Sequence, residues 1–277
     1  MKTQAKILFI SQEIDPYINE TEIAAICRKL PQYVQDRGCE IRVFMPCYGH
    51  VNERRNQLHE VQRLSGLNII INDNDHPLLI KVASIQSARV QVYFIDNDDF
   101  FRRKGIARDE DRRPFEDNDE RSIFFVRSVL ETIKKLRWTP DIVLCSGWIS
   151  ALAPMYIKRS YITDPFFAKS KVVYALYKER LMTPLRPGID QRMAFDFINK
   201  GDYYEFDGQT RFTSEMLDHI AVRYSDAVIA ECETMTDVIS ALIQERNIPL
   251  LPYEPVEAAG ERQYRFFEQI SPAFKNE

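Results

Sequence analysis

The chain has 277 residues, of which 45% are apolar and 28% are charged, and its net charge is -4. This length allows one large domain or two small ones with a buried core. The acidic balance gives no general attraction to nucleic acid or to an anionic membrane. No apolar run approaches the roughly 20 residues that cross a bilayer, and MKTQAKILFIS lacks the features of a signal peptide. We therefore expect a cytoplasmic protein with no nucleic-acid or membrane partner.

Five cysteines are scattered along the chain without the CxxC spacing of a metal or redox motif. They are Cys27, Cys39, Cys47, Cys145 and Cys232. Several of them lie in or beside apolar runs, so we expect reduced thiols buried in the core.

Apolar runs of strand length alternate with helical patterns along most of the chain. The predicted strands are Ala5–Ser11, Glu40–Met45, Leu67–Asn72, Leu78–Ile85, Val90–Asp96, Asp141–Ser146, Lys171–Tyr177 and Asp226–Glu231. The predicted helices are a first segment that ends at Gly38, then Asn118–Leu136, Trp148–Lys158, Phe212–Arg223 and Thr234–Gln244. This alternation predicts an α/β fold with a doubly wound, Rossmann-like sheet, and the pieces at 66–96 predict hairpins at an antiparallel edge.

A long charged loop, FFRRKGIARDEDRRPFEDNDER, begins at Phe100. It has no helical or strand periodicity of its own. A loop of this length and charge is expected to be mobile.

The last residues of the chain, 255–277, are predicted to form a helical tail. Tyr264, Phe267 and Ile270 recur at intervals of three residues, which puts them on one helical face. We expect this face to pack on a single Rossmann-like domain that spans residues 1–254.

Several stretches together resemble the N-terminal half of bacterial glycogen synthases and plant starch synthases, from about Lys6 to Leu242. They are KILFISQEIDPY, VYFIDNDDFF, FEDNDERSIFF, WTPDIVLCSGW and YSDAVIAECETM. Those enzymes transfer glucose from ADP-glucose to a growing α-1,4-glucan. The resemblance implies the N-terminal half of a GT-B fold, in which two Rossmann-like domains enclose the active site. The chain ends where the second domain of that family is expected to begin, so the resemblance implies no catalysis by this chain alone.

The first loop of that family carries a lysine and three glycines that let backbone N–H groups approach a sugar diphosphate. The matching positions, including that of an aspartate, are here Asn19, Thr21, Glu22, Ala24 and Ala25. Side chains at the glycine positions block a close backbone approach. Glu20 and Glu22 add negative charge at the positive end of the helix dipole. We expect Asn19 to cap the helix, with Glu22 reaching back as in a capping box.

The other polar motifs that the resemblance implies are also altered. The second motif places histidines and an aspartate around a tryptophan; of these residues only Trp148 is present here. Its polar positions are taken by Leu144, Ser146, Gly147 and Ile149. The third motif, a histidine and an asparagine, is Tyr177 and Lys178. We assign no catalytic residue, and the candidate ligand pocket consists of Gln12, Asn19, Trp148, Tyr177 and Lys178.

No pattern in the sequence predicts a metal or a cofactor. The four histidines, His50, His59, His76 and His219, lack the spacing of local metal-ligand motifs. The acidic clusters at Asn72–His76 and Asp96–Phe100 lack the glycine and glutamate of an EF-hand loop. Both follow strands, where Asp and Asn make turns.

Three functions stay open at this point. The first is a non-catalytic glycogen or starch synthase-like protein with a glucan-binding or regulatory role. The second is a glucosyltransferase subunit that a separate chain completes, and the third is a small-molecule binding protein with a remodelled pocket. An α-glucan or a nucleotide sugar is the expected weak ligand. A second copy or a partner protein is expected on the face of the missing domain.

Overall fold

A computed structural model of the protein describes residues 4–19, 21–178, 180–203, 211–255 and 259–274. Its strands are β1 (Lys6–Ser11), β2 (Glu40–Pro46), β3 (His59–Glu60), β4 (Leu67–Ile71), β5 (Asn74–Ile85), β6 (Val90–Asp96), β7 (Ile142–Ser146), β8 (Lys171–Tyr177), β9 (Ala227–Glu231) and β10 (Leu250–Leu251). Its α-helices are α1 (Glu22–Asp36), α2 (Asp98–Phe101), α3 (Asn118–Leu136), α4 (Ala153–Arg159), α5 (Ile189–Met193), α6 (Ser214–Arg223), α7 (Asp237–Glu245) and α8 (Glu261–Ile270).

The strands form one twisted sheet in the order β10-β9-β8-β7-β1-β2-β6-β5-β3, with β4 paired to β5. From β10 to β6 every neighbouring pair is parallel, whereas β3, β4 and β6 each pair with β5 antiparallel. The strand order reverses direction at β1, which lies between β2 and β7. In open α/β sheets such a reversal leaves a crevice at the carboxyl ends of the two strands.

The central strands are buried because their sequences are almost continuously apolar. The side chains of β1 and β7 from Ile7 and Ile142 onward are 3% exposed or less, and helices pack on the sheet. Phe9 pairs in register with Val43 on one side and with Leu144 on the other. The α/β, doubly wound prediction is confirmed. In the part of the chain that the structure describes, no helix has the length and apolar character to span a bilayer.

The helix predicted for Trp148–Lys158 is wrong at its start. The structure has a 3-10 turn at Trp148–Ser150, and α4 begins only at Ala153. Gly147 has a φ of 86°, a left-handed conformation that an L side chain rarely adopts. The chain therefore leaves β7 through a sharp turn before a regular helix can begin.

The charged loop after Phe100 is held by the buried side chains of α3. The Arg121 guanidinium, which is fully buried, donates to the carbonyl oxygens of Phe100 (2.8 Å) and Ile106. The Asn118 amide donates to Ala107 O at 2.9 Å. These contacts fix several backbone positions of the loop. The expectation of a mobile loop left out these anchors on α3.

Helix α8 lies in the predicted tail and packs back on the sheet and on α1. Phe267 is fully buried, while Tyr264 and Ile270 are partly buried against the core. The Tyr264 ring meets the Tyr33 ring of α1 edge to face, with 6.2 Å between centroids. Residues 256–258 and 275–277 lie outside the described residues, and the boundary between domain and tail at 254 stays a prediction.

The packing of α8 gives a first test. Replacing Phe267 by Ala should lower the free energy of unfolding by about 3 to 5 kcal/mol, since it leaves a cavity in a fully buried position. Urea unfolding followed by fluorescence measures this change. The control is Arg265→Ala on the exposed side of the same helix, expected to change stability by less than about 0.5 kcal/mol. Equal effects of the two substitutions would mean that α8 contributes little to the folded domain.

Candidate functional site

The carboxyl ends of four parallel strands meet at the crevice that the strand order predicts. We call this region the mouth and define it as residues 11–13, 146–148, 177 and 231, which follow or end β1, β7, β8 and β9. The side chains there are almost completely buried: Gln12, Glu13, Tyr177 and Glu231 are each 3% exposed. The mouth is therefore filled by the protein's own side chains.

The side chain of Gln12 lies against the backbone of Gly147. The Gln12 N–H donates to Ser146 O at 3.0 Å, which extends the pairing of β1 with β7 by one residue. A Cβ placed on Gly147 would come within 2.5 Å of Gln12 Oε1. Gln12 therefore occupies the space directly above the turn that follows β7.

The carboxylate of Glu13 lies at the N-terminus of α1. It accepts a hydrogen bond from Thr21 Oγ1 at 2.7 Å and another from the Gln12 amide. Thr21 Oγ1 in turn accepts from Ala24 N at 3.1 Å. A phosphate bound at a helix N-terminus uses such N–H groups, and here a threonine hydroxyl and a carboxylate of the same chain take that place.

The prediction that Asn19 caps this helix is wrong. Thr21 is the N-cap residue, with extended backbone angles, and Glu22 is the first helical residue. Asn19 is exposed, and its amide, oriented so that its nitrogen donates, reaches Pro16 O at 3.0 Å. Threonine is also a favoured N-cap residue, but it ranks below asparagine, so residue preference alone does not select Thr21.

Tyr177 and Trp148 point into the core. The Tyr177 hydroxyl lies beside Ser146 and Cys27, and burial raises the pKa of Tyr177 well above its ordinary value. Burial likewise raises the pKa of Cys27 to about 11, and the nearby Glu13 carboxylate adds to this effect. Trp148 is 4% exposed and belongs to the hydrophobic core. Neither aromatic ring offers an open face to a sugar.

Helix α8 closes the mouth on the β9 side. Gln263, fully buried, donates from Nε2 to Glu231 Oε1 at 2.9 Å and accepts from Gly260 N at 2.7 Å. Burial raises the pKa of the Glu231 carboxyl above its ordinary value, and the Glu22 carboxylate raises it further. Sequence reasoning missed both Glu231 and Gln263, because only the fold brings residues 32 positions apart into contact.

The structure thus brings Gln12, Trp148 and Tyr177 to the mouth and leaves two predicted pocket residues outside it. Lys178 is exposed immediately after β8, and Asn19 is exposed in the loop before α1. Three carboxylates surround the mouth, those of Glu13, Glu22 and Glu231. Together they make an acidic environment that disfavours a diphosphate.

A cluster of candidate metal ligands lies at the end of β6. Among the described residues, donor atoms of Cys47, Glu53 and Asp96 lie within 4.8 Å of one another. The Lys81 ammonium is 2.7 Å from both carboxylates and supplies the positive charge between them. Asn97 follows as the N-cap of α2, accepting from Asp99 N and Phe100 N, as expected for Asn in a turn.

Comparison with known proteins matches most of the chain to one protein family. A family model described as "Starch synthase catalytic domain" matches residues 6–244. The catalytic domain of starch synthase IV from Arabidopsis thaliana, solved bound to ADP and acarbose, superposes with a TM-score of 0.73 at 14% identity. The match covers 90% of this chain and 51% of that one, and at this identity it concerns the fold alone.

Curated relatives agree with the family model. The glycogen synthase of Chlorobium limicola is 35% identical over 173 residues, which are 62% of this chain and 35% of that enzyme. The glycogen synthase of Chlorobaculum parvum is 30% identical over 225 residues, which are 80% of this chain and 45% of the relative. The matched region thus spans between about a third and a half of the length of these relatives.

The cap of α1 gives a second test. Thr21→Ala removes the acceptor for Ala24 N and a donor to Glu13, so it should lower the free energy of unfolding by about 1 to 2 kcal/mol. Asn19→Ala is the matched control and should change it by less than about 0.5 kcal/mol. Chemical denaturation of both variants decides which residue caps the helix. A larger loss for Asn19→Ala would contradict the assignment of Thr21.

Glu231 gives a third test, through pH. Its raised pKa means that the folded protein holds this proton more tightly than the unfolded chain. The ordinary pKa of a glutamate, that of the unfolded chain, is 4.5. The contribution of Glu231 to stability is therefore greatest below pH 4.5, and it declines as the pH rises through the higher pKa of the folded protein. Glu231→Gln should remove this decline and stabilise the protein at pH 7, while keeping an acceptor for Gln263.

Urea unfolding between pH 4 and pH 8 measures the effect of Glu231→Gln. Glu261→Gln, an exposed carboxylate that pairs with Arg265 on α8, is the control and should follow the parent protein. If Glu231→Gln lowered stability at pH 7, the carboxylate would be a net stabilising group and the argument from burial would fail.

Proposed function

This chain belongs to the starch synthase catalytic domain family, and we propose that it is a non-catalytic member whose mouth does not hold a nucleotide sugar. Its retained role is then binding or regulation, with an α-glucan as the expected ligand class. The proposal rests on the hydrogen bond that the Thr21 hydroxyl donates to the Glu13 carboxylate at the N-terminus of α1. A negative group of the protein is placed where the helix dipole would favour a phosphate.

Electrostatics support the proposal at the phosphate side. An added diphosphate would meet the buried carboxylates of Glu13 and Glu231, where repulsion between like charges is strong, and the half-buried carboxylate of Glu22. Lys178 is exposed on the rim, and a solvated lysine side chain offsets little of this repulsion.

Packing supports the proposal at the sugar side. The Gln12 side chain covers Gly147, and Tyr177 and Trp148 are turned into the core. Removing one well-placed stabilising group slows an enzyme about 100- to 1000-fold, and several such losses accumulate even though they are not additive. None of the mouth residues is a histidine or an arginine that could replace the polar groups of the family's motifs.

The fourth test is the transfer reaction itself. We expect the purified chain to incorporate no glucose from ADP-glucose or UDP-glucose into glycogen, and to give no binding heat with ADP-glucose. Radiolabel transfer measures the incorporation, and calorimetry measures the binding of ADP-glucose. The Chlorobium limicola glycogen synthase is the active control. Binding of glycogen without incorporation would support a glucan-binding role.

Incorporation that depends on primer and disappears in Lys178→Ala would overturn the proposal. It would favour the alternative of a glucosyltransferase subunit. Transfer that begins only when a separate polypeptide is added would favour the same alternative, with the partner docked on the face of the mouth. Lys178 is suited to this test because it is exposed, so its replacement leaves the fold intact.

A further inference from the structure

A groove of about 670 Å³ lies on the antiparallel side of the sheet. We call it the edge groove. Three segments line it: Pro16 and Tyr17 before α1, the loop of residues 55–57 with His59, and the end of β5 with its turn, residues 83–87. None of the mouth residues lines it, so it is a separate site.

The floor and the rim of the edge groove differ in chemistry. The floor is apolar, formed by Ala83, Ile85 and the ring of Tyr17, which are all less than 10% exposed. The Tyr17 ring is fixed by an edge-to-face contact with Phe94 at 4.8 Å between centroids. An apolar floor of this kind takes the C–H face of a ligand that is polar at its edges.

The rim carries hydrogen-bonding groups. Asn56, Gln57 and Gln86 supply amides, Ser84 and Ser87 supply hydroxyls, and most of these side chains are exposed. Amides and hydroxyls both donate and accept, which matches the hydroxyl groups of a polyol. The rim therefore favours a ligand with several hydroxyl groups.

The charge of the groove is positive in a chain whose net charge is -4. Among the described residues, the lining of the groove includes the Arg55 guanidinium and contains no Asp or Glu. Arg28 on α1 adds a second guanidinium at the groove, since its Nη2 donates to Oγ of the lining residue Ser87 at 3.0 Å. Arginine binds phosphate oxygens with its planar fork of donors.

We propose that the edge groove binds a phosphate monoester carried on a hydroxylated carbon skeleton, the chemistry of a sugar phosphate. Arg55 and the His59 imidazole hold the phosphate, and the amides and hydroxyls of the rim hold the hydroxyl groups. The carbon skeleton lies on the floor of Tyr17, Ala83 and Ile85. This site goes beyond the proposed function of the mouth and does not depend on it.

The test uses the full chain and calorimetry with four probes: glucose 1-phosphate, glycerol 3-phosphate, glucose and inorganic phosphate. Glucose 1-phosphate should bind at least about 10-fold more tightly than glucose or inorganic phosphate alone, because only it uses both halves of the groove. The affinity for glycerol 3-phosphate, which has fewer hydroxyl groups, should lie between that for glucose 1-phosphate and that for inorganic phosphate.

Neighbouring arginines supply a matched pair of variants. Arg55→Gln should weaken glucose 1-phosphate binding about 10-fold or more, as expected for loss of a charge-assisted pair. Arg54→Gln, an exposed neighbour that does not line the groove, should leave it unchanged. Both arginines are exposed, so thermal unfolding should be the same for the two variants.

Four results would overturn the proposal. They are absence of glucose 1-phosphate binding at millimolar concentration, equal weakening by Arg54→Gln, equally tight binding of inorganic phosphate, and loss of binding in Lys178→Ala. The third would reduce the groove to an anion site, and the fourth would move the ligand to the rim of the mouth. Transfer activity plays no part in these measurements, so the failure of either proposal leaves the other intact.

Discussion

The pairing of β1 on both of its edges is the constraint on which the rest of the structure depends. Its partners β2 and β7 are distant in sequence, and the strand can be buried on both faces because Ile7 to Ile10 are all apolar. Since the strand order reverses at this strand, whatever follows it emerges into the crevice of the sheet. In this chain the residues that emerge are Gln12 and Glu13, and they occupy the crevice.

The altered loop before α1 forms a consistent set of contacts. A glycine loop leaves its N–H groups open to a ligand, whereas Thr21 uses its hydroxyl to cap the helix. The same hydroxyl donates to Glu13, which keeps a buried carboxylate hydrogen-bonded. Burial of such a group without partners would be costly. The fold does not require a phosphate loop, because its stability comes from the sheet and the core, while sites are supported by a few side chains on that scaffold.

One of the stretches that most specifically mark the family resemblance, FEDNDERSIFF, performs a packing role in this structure. Asp119 is fully buried and accepts hydrogen bonds from Arg186 and Arg192, which belong to the segment after β8. Arg121 fixes the charged loop through backbone carbonyls. These residues connect α3 to both neighbouring loops, and Ser122 of the same stretch donates to Ile149 O at 3.0 Å, in the turn that follows β7. Part of the family's sequence signature therefore serves the packing of α3.

The sequence alone determined the class of the fold, the longer strands and most of the longer helices, because apolar runs and helical periodicity are local properties. It did not predict the short elements β3, β10, α2 and α5. It also identified Gln12, Trp148 and Tyr177 as residues at strand ends, since strand ends can be read from the same runs. Only the tertiary structure decided that the mouth is filled, because burial depends on contacts between distant segments such as Gln263 with Glu231 and Gln12 with Gly147. The tertiary structure also decided which residue caps α1 and how the charged loop is anchored. Several hydrogen-bond acceptors compete for one helix end or one arginine, and only the folded geometry selects among them.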